Sequence, residues 1–247
     1  MVFTIVKRKN SKIIKQGILA YFGMSNTKLH ERLLELPLFQ GMSRNDLEQI
    51  ISATKFRQLD YGKNKIVAND GDVCNKFFFL IEGTISATGH SDDNGYSITE
   101  LVQSPEVLQP ERIFGLTQRY TKTFKTVTDC TFISLSKMEA LELASKYEIF
   151  RLNLLNIVCT KSQRLTRSPW RVQPKDIRHK IARFVETRCV RPAGEKIIKI
   201  KMERLGNEIN ESRLNTSHEL NAMEAEGILT LRRGEIHIHA LEKIILT

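Results

Sequence analysis

A short segment beginning at Ser212 carries the side-chain types that read DNA bases. Serine is favoured at helix N-caps, so Ser212 predicts a helix that begins just after it. An arginine in the first turn of such a helix can form a bidentate pair with guanine. Asparagine and histidine can hydrogen-bond a base or a phosphate, and leucine can contact a thymine methyl group. The candidate DNA-binding residues of this helix are Ser212, Arg213, Leu214, Asn215, Ser217 and His218.

Two short helices joined by a tight turn are predicted to hold this segment. The pattern indicates helices at residues 203–209 and 212–226, with Asn210 in the turn, where a residue that tolerates left-handed backbone is favoured. The side chains that we expect in their shared core are Leu205, Ile209, Thr216, Leu220 and Met223.

A further helix and three short strands complete this unit. Pro174 is predicted to open the preceding helix, and residues 198–202 alternate between apolar side chains and lysine, as in a half-buried strand. Residues 229–238 are predicted to form a hairpin whose turn carries Arg232 and Arg233, which suit phosphate contact. The order helix, strand, helix, tight turn, helix, hairpin is typical of a winged helix-turn-helix.

The net charge of +10 is unevenly distributed along the 247 residues. Residues 1–30 carry a net charge of +6, residues 31–145 carry −4, and residues 146–247 carry +8. A basic region attracts polyanions by releasing their counterions. A solvated basic surface would have the same charge, so the charge favours DNA only in combination with the hairpin and the polar helix face.

Short strands separated by turn residues dominate the middle of the chain. Residues 77–81 and 97–102 have the pattern of strands, and residues 92–95 have the composition of a hairpin tip. Many short strands at close spacing are typical of a barrel, roll or sandwich. Two short helices, at residues 27–36 and from Ser43 onwards, are predicted to precede the strands.

One longer helix is predicted at residues 146–168, between the strands and the winged unit. Its apolar residues Phe150, Leu154, Ile157 and Leu165 follow a spacing close to the stripe of a coiled coil. Such a stripe packs either on the core of its own chain or on a second copy. The spacing alone leaves both arrangements open.

The chain lacks the motifs of common enzymes, having no Gly-rich phosphate loop with lysine, no His-Glu-x-x-His and no nucleophile elbow. Its four cysteines include no Cys-x-x-Cys pair, so no metal site of that type is predicted. No apolar run approaches the length of a membrane span, and the apolar stretch at residues 18–22 is too short for a signal peptide. We therefore expect a cytoplasmic protein that is not an enzyme and has no membrane partner.

Several short segments occur in the order in which one family of regulators has them. These segments are residues 37–43, 62–64, 66–72, 77–83, Phe114-Gly115, Ser212-Arg213, Leu220, Met223 and residues 226–229. Over about residues 37–243 the chain resembles the cyclic-AMP receptor and fumarate–nitrate reduction regulator (CRP/FNR) superfamily of bacterial transcription regulators. The resemblance implies an α+β fold with an N-terminal β-roll (a cyclic-nucleotide-binding-like jelly roll), a long central dimerisation helix and a C-terminal winged helix-turn-helix.

The resemblance also implies a mode of action. It implies a homodimer that binds a palindromic operator in double-stranded DNA, with the four apolar residues of the central helix as the dimer interface. RNA polymerase is expected as a further partner if the protein is an activator. Arg213 takes the guanine-reading position of the family, whereas Leu214 and His218 stand where the best-known members have Glu and Arg. The operator therefore need not be the operator of those members.

Four regions follow from these expectations. They are a basic N-terminal extension (1–30), a β-roll sensor domain (31–145), a dimerisation helix (146–168) and a winged helix-turn-helix DNA-binding domain (169–247).

The expected effector site departs from the family members that bind cyclic nucleotides. Those members hold the ribose with a Gly-Glu pair and the phosphate with an Arg-Ser pair. Here Leu116 follows Gly115, and Tyr120-Thr121 stand in the Arg-Ser positions. Because a buried phosphate without its cationic partner costs several kcal/mol, cyclic AMP is not the expected effector. The effector-binding candidates are Phe114, Gly115, Leu116, Tyr120 and Thr121.

Three hypotheses for the sensor stay open, namely another small effector, a haem or gas signal, and no effector. Arg112, Arg119 and Lys122 could supply a charge from another angle. An iron–sulfur cluster is not expected, because no cysteine precedes Cys74. The alternative function is an effector-binding module whose winged domain contacts a protein partner, which the polar face of the second helix disfavours.

Overall fold

The computed structural model describes residues 26–245, so most of the predicted basic extension at residues 1–30 lies outside the described residues. Helix α1 (Asn26–Glu35) and helix α2 (Arg44–Ala53) precede the strands. Ser43 caps α2, as predicted, and its hydroxyl accepts a hydrogen bond from the backbone N–H of Asp46 at 3.1 Å. The hydroxyl satisfies a backbone donor that the first turn of a helix leaves unpaired.

Eight short strands form the middle of the chain, as their turn-rich sequence predicts. They are β1 (Arg57–Tyr61), β2 (Ile66–Ala68), β3 (Lys76–Glu82), β4 (Thr84–His90), β5 (Tyr96–Gln103), β6 (Glu106–Val107), β7 (Thr123–Thr126) and β8 (Cys130–Ser136). One sheet has the order β1-β8-β3-β6, and the strands β5-β4-β7-β2 belong to a second sheet. The pairings within this roll are antiparallel.

Aromatic side chains fill the core of the roll. The ring of Phe39, from the segment after α1, lies 5.7 Å from the ring of Phe79 and 5.3 Å from the ring of Phe150. Phe124 of β7 and Phe132 of β8 are buried in the same apolar cluster. The triple phenylalanine of β3 is therefore core, because its side chains are buried on both faces of the strand.

Two helices follow the roll, α3 (Lys137–Lys146) and α4 (Glu148–Arg167). Helix α3 begins with a capping box in which Ser136 and Glu139 satisfy each other's backbone donors. Helix α4 is the predicted long central helix, and it has 20 residues. Within residues 26–245, no helix combines the length and the apolar character that a membrane crossing needs.

The apolar stripe predicted as a dimer seam packs on the roll of its own chain. Phe150 and Leu154 of α4 are buried in the roll core, and Ile157 packs against that core. Of the four predicted residues only Leu165, 72% exposed, is free of this packing. The prediction that Phe150 and Leu154 form a dimer interface is therefore corrected. A heptad-like spacing shows that one side of a helix is covered, but it does not show by which molecule.

The C-terminal unit has the predicted order of elements. It comprises α5 (Ile177–Glu186), β9 (Lys196–Ile200), α6 (Met202–Ile209), α7 (Arg213–Ala225), β10 (Leu229–Arg232), β11 (Glu235–Ile238) and α8 (Leu241–Ile245). Helix α5 begins after Asp176, not at Pro174, because the Asp176 carboxylate accepts the backbone N–H of His179 at 2.9 Å and caps the helix there. Pro174 itself lies in the segment before the helix.

The strands of the two units form one continuous sheet. Its full order is β10-β11-β9-β5-β4-β7-β2, and the junction is the antiparallel pairing of β5 with β9. The observed class is therefore α+β, with an antiparallel roll followed by helices and a winged unit, as the sequence predicts.

Candidate nucleic-acid interface

The start of α7 has the geometry expected of a recognition helix. Ser212 is the N-cap, and its hydroxyl accepts a hydrogen bond from the backbone N–H of Asn215 at 3.1 Å. The hydroxyl of Thr216 donates to the backbone carbonyl of Ser212 at 2.9 Å, which keeps Thr216 buried beneath the helix. These bonds satisfy the first turn from within the chain and fix which side of it faces outward.

The outward side of this first turn consists of predicted residues. Arg213, Asn215 and His218 are exposed, Leu214 is 79% exposed, and Ser217 is half-buried. The sequence analysis missed Asn221, which is also exposed one turn after His218. It could have been predicted from the sequence, because residues three or four positions apart lie on one face of a helix and Asn221 follows His218 by three. The exposed face is polar apart from Leu214.

The turn between α6 and α7 holds the two helices close together. Asn210 ends α6 in the left-handed region, with φ of +55°, as its position in the turn predicts. Gly206 lies inside α6, where a Cβ atom would stand 2.8 Å from the backbone oxygen of Glu211. This glycine was missed by the sequence analysis, although a glycine inside a short helix is unfavourable unless close packing requires it.

The predicted core residues of the helix pair are buried. The four apolar ones belong, together with side chains of α5 and the hairpin, to one apolar cluster. The predicted residues, all buried, are Leu205, Ile209, Thr216, Leu220 and Met223.

Three of the acidic side chains around these helices are paired with cations of α5. Lys180 contacts Glu211 at 2.5 Å, and Arg178 contacts Glu219 at 3.0 Å and Glu226 at 2.7 Å. Hydrogen bonds from Lys180 and Arg178 lower the pKa of the Glu211 and Glu226 carboxyls, so both stay ionised and neutralise their partners. These three carboxylates therefore compensate cations of α5 and not the exposed first turn of α7.

The arginines that face outward have no such compensation. Arg213 at the start of α7, and Arg232 and Arg233 at the tip of the β10–β11 hairpin, form no ion pair with any residue between 26 and 245. Gly234, with φ of +74°, closes the hairpin directly after Arg233. Because all three arginines are exposed, they are available to a polyanion.

Arg178 anchors α7 to α5. Its guanidinium donates two hydrogen bonds to Glu226 at 2.8 and 2.7 Å and a third to Glu219 at 3.0 Å. A planar guanidinium held at three points restricts rotation of one helix relative to the other. Nothing in the sequence pattern distinguished Arg178 from the other basic residues of α5.

The effector candidates do not form one open site. Tyr120 is buried in the roll core, with its ring 6.0 Å from that of Phe124, and burial raises the pKa of its hydroxyl. Leu116 and Gly115 are exposed, whereas Phe114 is half-buried beneath the Lys137 ammonium at 5.1 Å. The inward residue at this position is thus a neutral phenol packed against an aromatic ring.

Thr121 is bracketed by a buried glutamine that the sequence analysis did not consider. The Gln109 side chain donates to the Thr121 hydroxyl at 2.7 Å and accepts the Thr121 backbone N–H at 3.0 Å. Gln109 is buried and lies in the left-handed region, with φ of +39°. The Gln109 amide therefore donates one hydrogen bond to Thr121 and accepts another from it.

The nearby cations are directed elsewhere. Arg119 donates to the backbone oxygen of Gly71 at 2.6 Å, and Lys122 donates to Glu100 at 3.0 Å. Arg112 is half-buried, and its Nε atom has no hydrogen-bond partner among the described residues. Of the three cations considered from the sequence, Arg112 is the one with a buried nitrogen that has no partner among the described residues.

Metal-binding residues do not cluster in the described residues. Between residues 26 and 245 no group of three or more His, Cys, Asp or Glu side chains could hold an ion. Cys74 and Cys130 are buried in the roll, Cys189 is half-buried, and Cys159 is exposed on α4. His237 contacts Glu235 at 3.0 Å on the wing strand, in line with the polar strand face that alternation predicts.

Residues 58–147 match the sequence profile of the family described as cyclic nucleotide-binding domain. This stretch contains strands β1 to β8 and helix α3. The match shows that the roll is similar to cyclic nucleotide-binding domains, in agreement with the part of the sequence resemblance that concerns the roll. No curated protein sequence matches the chain.

Solved structures similar to this chain include three bacterial regulators. The catabolite activator protein of Thermus thermophilus is 18% identical, with 85% of this chain and 98% of that chain covered and a TM-score of 0.47. The c-di-GMP responsive global regulator CLP of Xanthomonas campestris is 18% identical, with coverages of 80% and 99% and a TM-score of 0.46. The sensor domain of the transcriptional regulator DNR from Pseudomonas aeruginosa is 18% identical, with coverages of 62% and 98% and a TM-score of 0.49.

Proposed function

We propose that this chain is a transcription regulator that binds a palindromic DNA operator as a homodimer. The observation that carries the proposal is the exposed first turn of α7, which Ser212 caps and which presents Arg213, Asn215 and His218 outward. A capped helix of this kind can enter the major groove with its N-terminal residues on the base edges. The unpaired arginines of the hairpin tip would then reach phosphates beside the groove.

A different stripe on α4 supports a dimer. Leu152 and Leu155 are 49% and 52% exposed, and Cys159, Ser162 and Thr166 continue the same exposed line at spacings of three and four residues. This line lies on the opposite side of the helix from the residues that pack on the roll. Exposed leucines at coiled-coil spacing fit a parallel pairing with α4 of a second copy, which would place two α7 helices on one duplex.

The contacts of Tyr120 and Thr121 in the roll favour either an effector other than cyclic AMP or the absence of an effector. Tyr120 fills the inward position with a neutral ring, and Gln109 occupies the polar groups of Thr121. A cyclic phosphate placed there would lose its hydration without gaining a cation from either residue. Arg112 is the side chain through which another anionic effector would be held.

Selection from random duplex DNA tests the proposal. We expect enrichment of an inverted repeat whose half-site centres lie about 34 Å apart, with affinity that falls steeply as salt rises. Replacing Arg213 by Ala is expected to cost roughly 1–3 kcal/mol on the selected site and to relax preference at one base position. Arg57→Ala, the same substitution at an exposed position of the roll, is the matched control and should leave binding unchanged.

Two outcomes would contradict the proposal. Enrichment of no inverted repeat would show that the α7 face does not read sequence. Equal losses from Arg213→Ala on all sequences would show that Arg213 contacts only phosphate. Sequence-blind binding together with tight capture of a protein would instead favour the protein-contact alternative.

A further inference from the structure

The winged unit shares a strand with the roll. Residues Tyr96 to Glu100 of β5 pair with Ile200 to Lys196 of β9, and this pairing is called the sheet junction below. Ile98 of β5 is buried in the apolar cluster of the winged unit and not in that of the roll. The roll thus supplies part of the core on which the DNA-reading helices rest.

A buried ionic cluster lies at the end of the sheet junction. Glu100 and Lys196 face each other across the two strands, and each is only 1% exposed. One Glu100 oxygen accepts Lys122 Nζ at 3.0 Å and the backbone N–H of Val190 at 2.7 Å. The other accepts the backbone N–H of Arg191 at 3.1 Å and Lys196 Nζ at 3.5 Å. Glu100, Lys122 and Lys196 are called the Glu100 cluster below.

The two ammonium groups are also held by carbonyls of the winged unit. Lys196 donates to the oxygen of Ala193 at 2.7 Å, and Lys122 donates to the oxygen of Arg188 at 2.8 Å. Lys122 comes from the roll, so its bonds to Glu100 and Arg188 tie the loop after α5 to the segment before β7. Each charge in the Glu100 cluster has more than one partner.

Such a cluster favours one arrangement of the two units over all others. A buried charge is tolerated only when its partners are in place, and removal of one partner is strongly unfavourable. A one-residue slip between β5 and β9 would move Glu100 away from Lys196 and turn the apolar side chains to the wrong face. The contacts at the rim, Arg204 with Asp93 and Arg191 with Glu106, are more exposed and add little to this selectivity.

The sheet junction leaves the recognition surface open. Arg213, Leu214, His218 and the hairpin arginines Arg232 and Arg233 are all exposed while β5 and β9 are paired. The joined arrangement is therefore compatible with DNA contact. What it restricts is the orientation of the winged unit relative to the roll and to α4.

We infer that Glu100 is a positioning residue for DNA recognition, because it holds each winged unit in the one orientation that lets both units of a dimer reach an operator together. This inference rests on the proposed function. Two rigidly oriented units bind their half-sites with a high effective concentration, whereas freely moving units lose that advantage. Glu100 makes no contact with DNA in this scheme and acts through Lys196 and the loop at residues 190–191.

Comparison of a full operator with an isolated half-site tests the inference. Replacing Glu100 by Gln keeps the shape of the side chain and removes the charge that the two lysines share. We expect the affinity for the full operator to fall by at least about tenfold while the affinity for the half-site stays within about twofold, because the recognition face is unchanged. We also expect the variant to accept operators with altered half-site spacing. Glu106→Gln, a neutralisation at the rim, is the matched control and should change neither affinity.

The thiol of Cys189 reports the sheet junction without DNA. Burial, together with the nearby Glu100 charge, raises the pKa of the half-buried Cys189 thiol to about 12, so its alkylation is slow while the junction is closed. In a Cys159→Ser background, we expect Glu100→Asp, which keeps the negative charge but shortens the side chain, to speed alkylation of Cys189 by roughly tenfold, measured by peptide mass spectrometry. Cys74 and Cys130 in the roll core are internal controls that should stay protected.

If Glu100→Gln unfolds the roll and exposes Cys74 and Cys130, Glu100→Asp is used in its place, with the same expected loss of affinity for the full operator.

A reversible cross-link provides a further test of the sheet junction. Thr99 and Ile197 lie opposite each other in the junction, so cysteines at these positions can form a disulfide between the strands. With Cys159→Ser included to prevent links between copies, oxidation of Thr99→Cys/Ile197→Cys in the Glu100 variant is expected to restore binding to the full operator, and reduction to abolish the restoration.

The outcomes separate this inference from the proposed function. If the wild type binds neither half-site nor operator, the proposed function fails while Cys189 still reports the junction. Unchanged alkylation of Cys189 in the Glu100 variants would overturn the inference. So would equal or tighter binding to the full operator, equal losses on half-site and operator, or a cross-linked variant that regains nothing.

Discussion

Gly206 provides a direct test of how the helix pair is built. In α6 the glycine faces the segment that enters α7, and a Cβ atom there would stand 2.8 Å from the backbone oxygen of Glu211 and 3.4 Å from the backbone nitrogen of Arg213. A backbone atom cannot rotate away as a side chain can. Replacing Gly206 by Ala should therefore push α6 and the start of α7 apart.

Two effects of opposite sign decide the magnitude. Alanine in a helix interior is favoured over glycine by up to about 1 kcal/mol. Relief of the contact requires the carbonyl to move from 2.8 Å to an ordinary distance of at least 3.4 Å. Crowding of this kind in a packed site costs roughly 1–3 kcal/mol. Because the contact is with backbone atoms that cannot rotate away, the clash is expected to win, with a net loss of up to about 2 kcal/mol in the free energy of unfolding.

Urea unfolding followed by circular dichroism measures this loss, and operator affinity measures its effect on α7. Gly62→Ala is the matched control, because a Cβ atom at Gly62 would meet nothing closer than 3.8 Å. We expect the Gly206 variant to bind its operator more weakly even where it is fully folded, since a shift of about half an ångström displaces the side chains that reach the bases. A Gly206→Ala variant as stable as the wild type, with unchanged affinity, would refute the close packing described here.

Two further predictions concern the dimer and the anchor of α7. Mild oxidation should link two copies through Cys159, which lies on the exposed line of α4. The linked dimer is seen as a band on a non-reducing gel, and Cys159→Ser should abolish this band. A wild type that never cross-links would contradict the parallel pairing of this line. Replacing Arg178 by Met should lower the melting temperature at pH 7 but have less effect as the pH falls below 4.5, the ordinary value for a glutamate. Arg178 lowers the pKa of the Glu226 carboxyl, so this stabilisation is complete above that pH and is lost as the folded protein takes up the proton. A difference in melting temperature that stays constant down to pH 3 would show that Arg178 acts through packing alone.

The winged unit could be predicted well because its signals are local. Ser212 as an N-cap, Asn210 in a left-handed turn and the hairpin at Arg232 and Arg233 each follow from the conformational preference of one or two residues. The exposed face of α7 followed from helical periodicity once its start was fixed. The helix before it was placed three residues early, because Pro174 can open a helix but the Asp176 side chain supplies the cap.

The partners of longer-range contacts could not be predicted in this way. The stripe of Phe150 and Leu154 has the same spacing whether the roll or a second chain covers it, and the roll covers it. Glu100 is an ordinary polar residue in an alternating strand, and only the pairing of β5 with β9 shows that Lys196 faces it. Such pairings join positions far apart in the chain, for which local propensity carries no signal.

Sharing of strand β5 means that the two halves of the chain are not independent modules. A fragment that starts after α4 would leave β9 as a bare sheet edge, with backbone donors and acceptors and the apolar neighbours of Ile98 open to water. Unprotected edges of this kind recruit strands from other molecules and lead to aggregation. Exchange of the C-terminal half between chains of this fold by recombination would therefore have to carry a matching β5 with it.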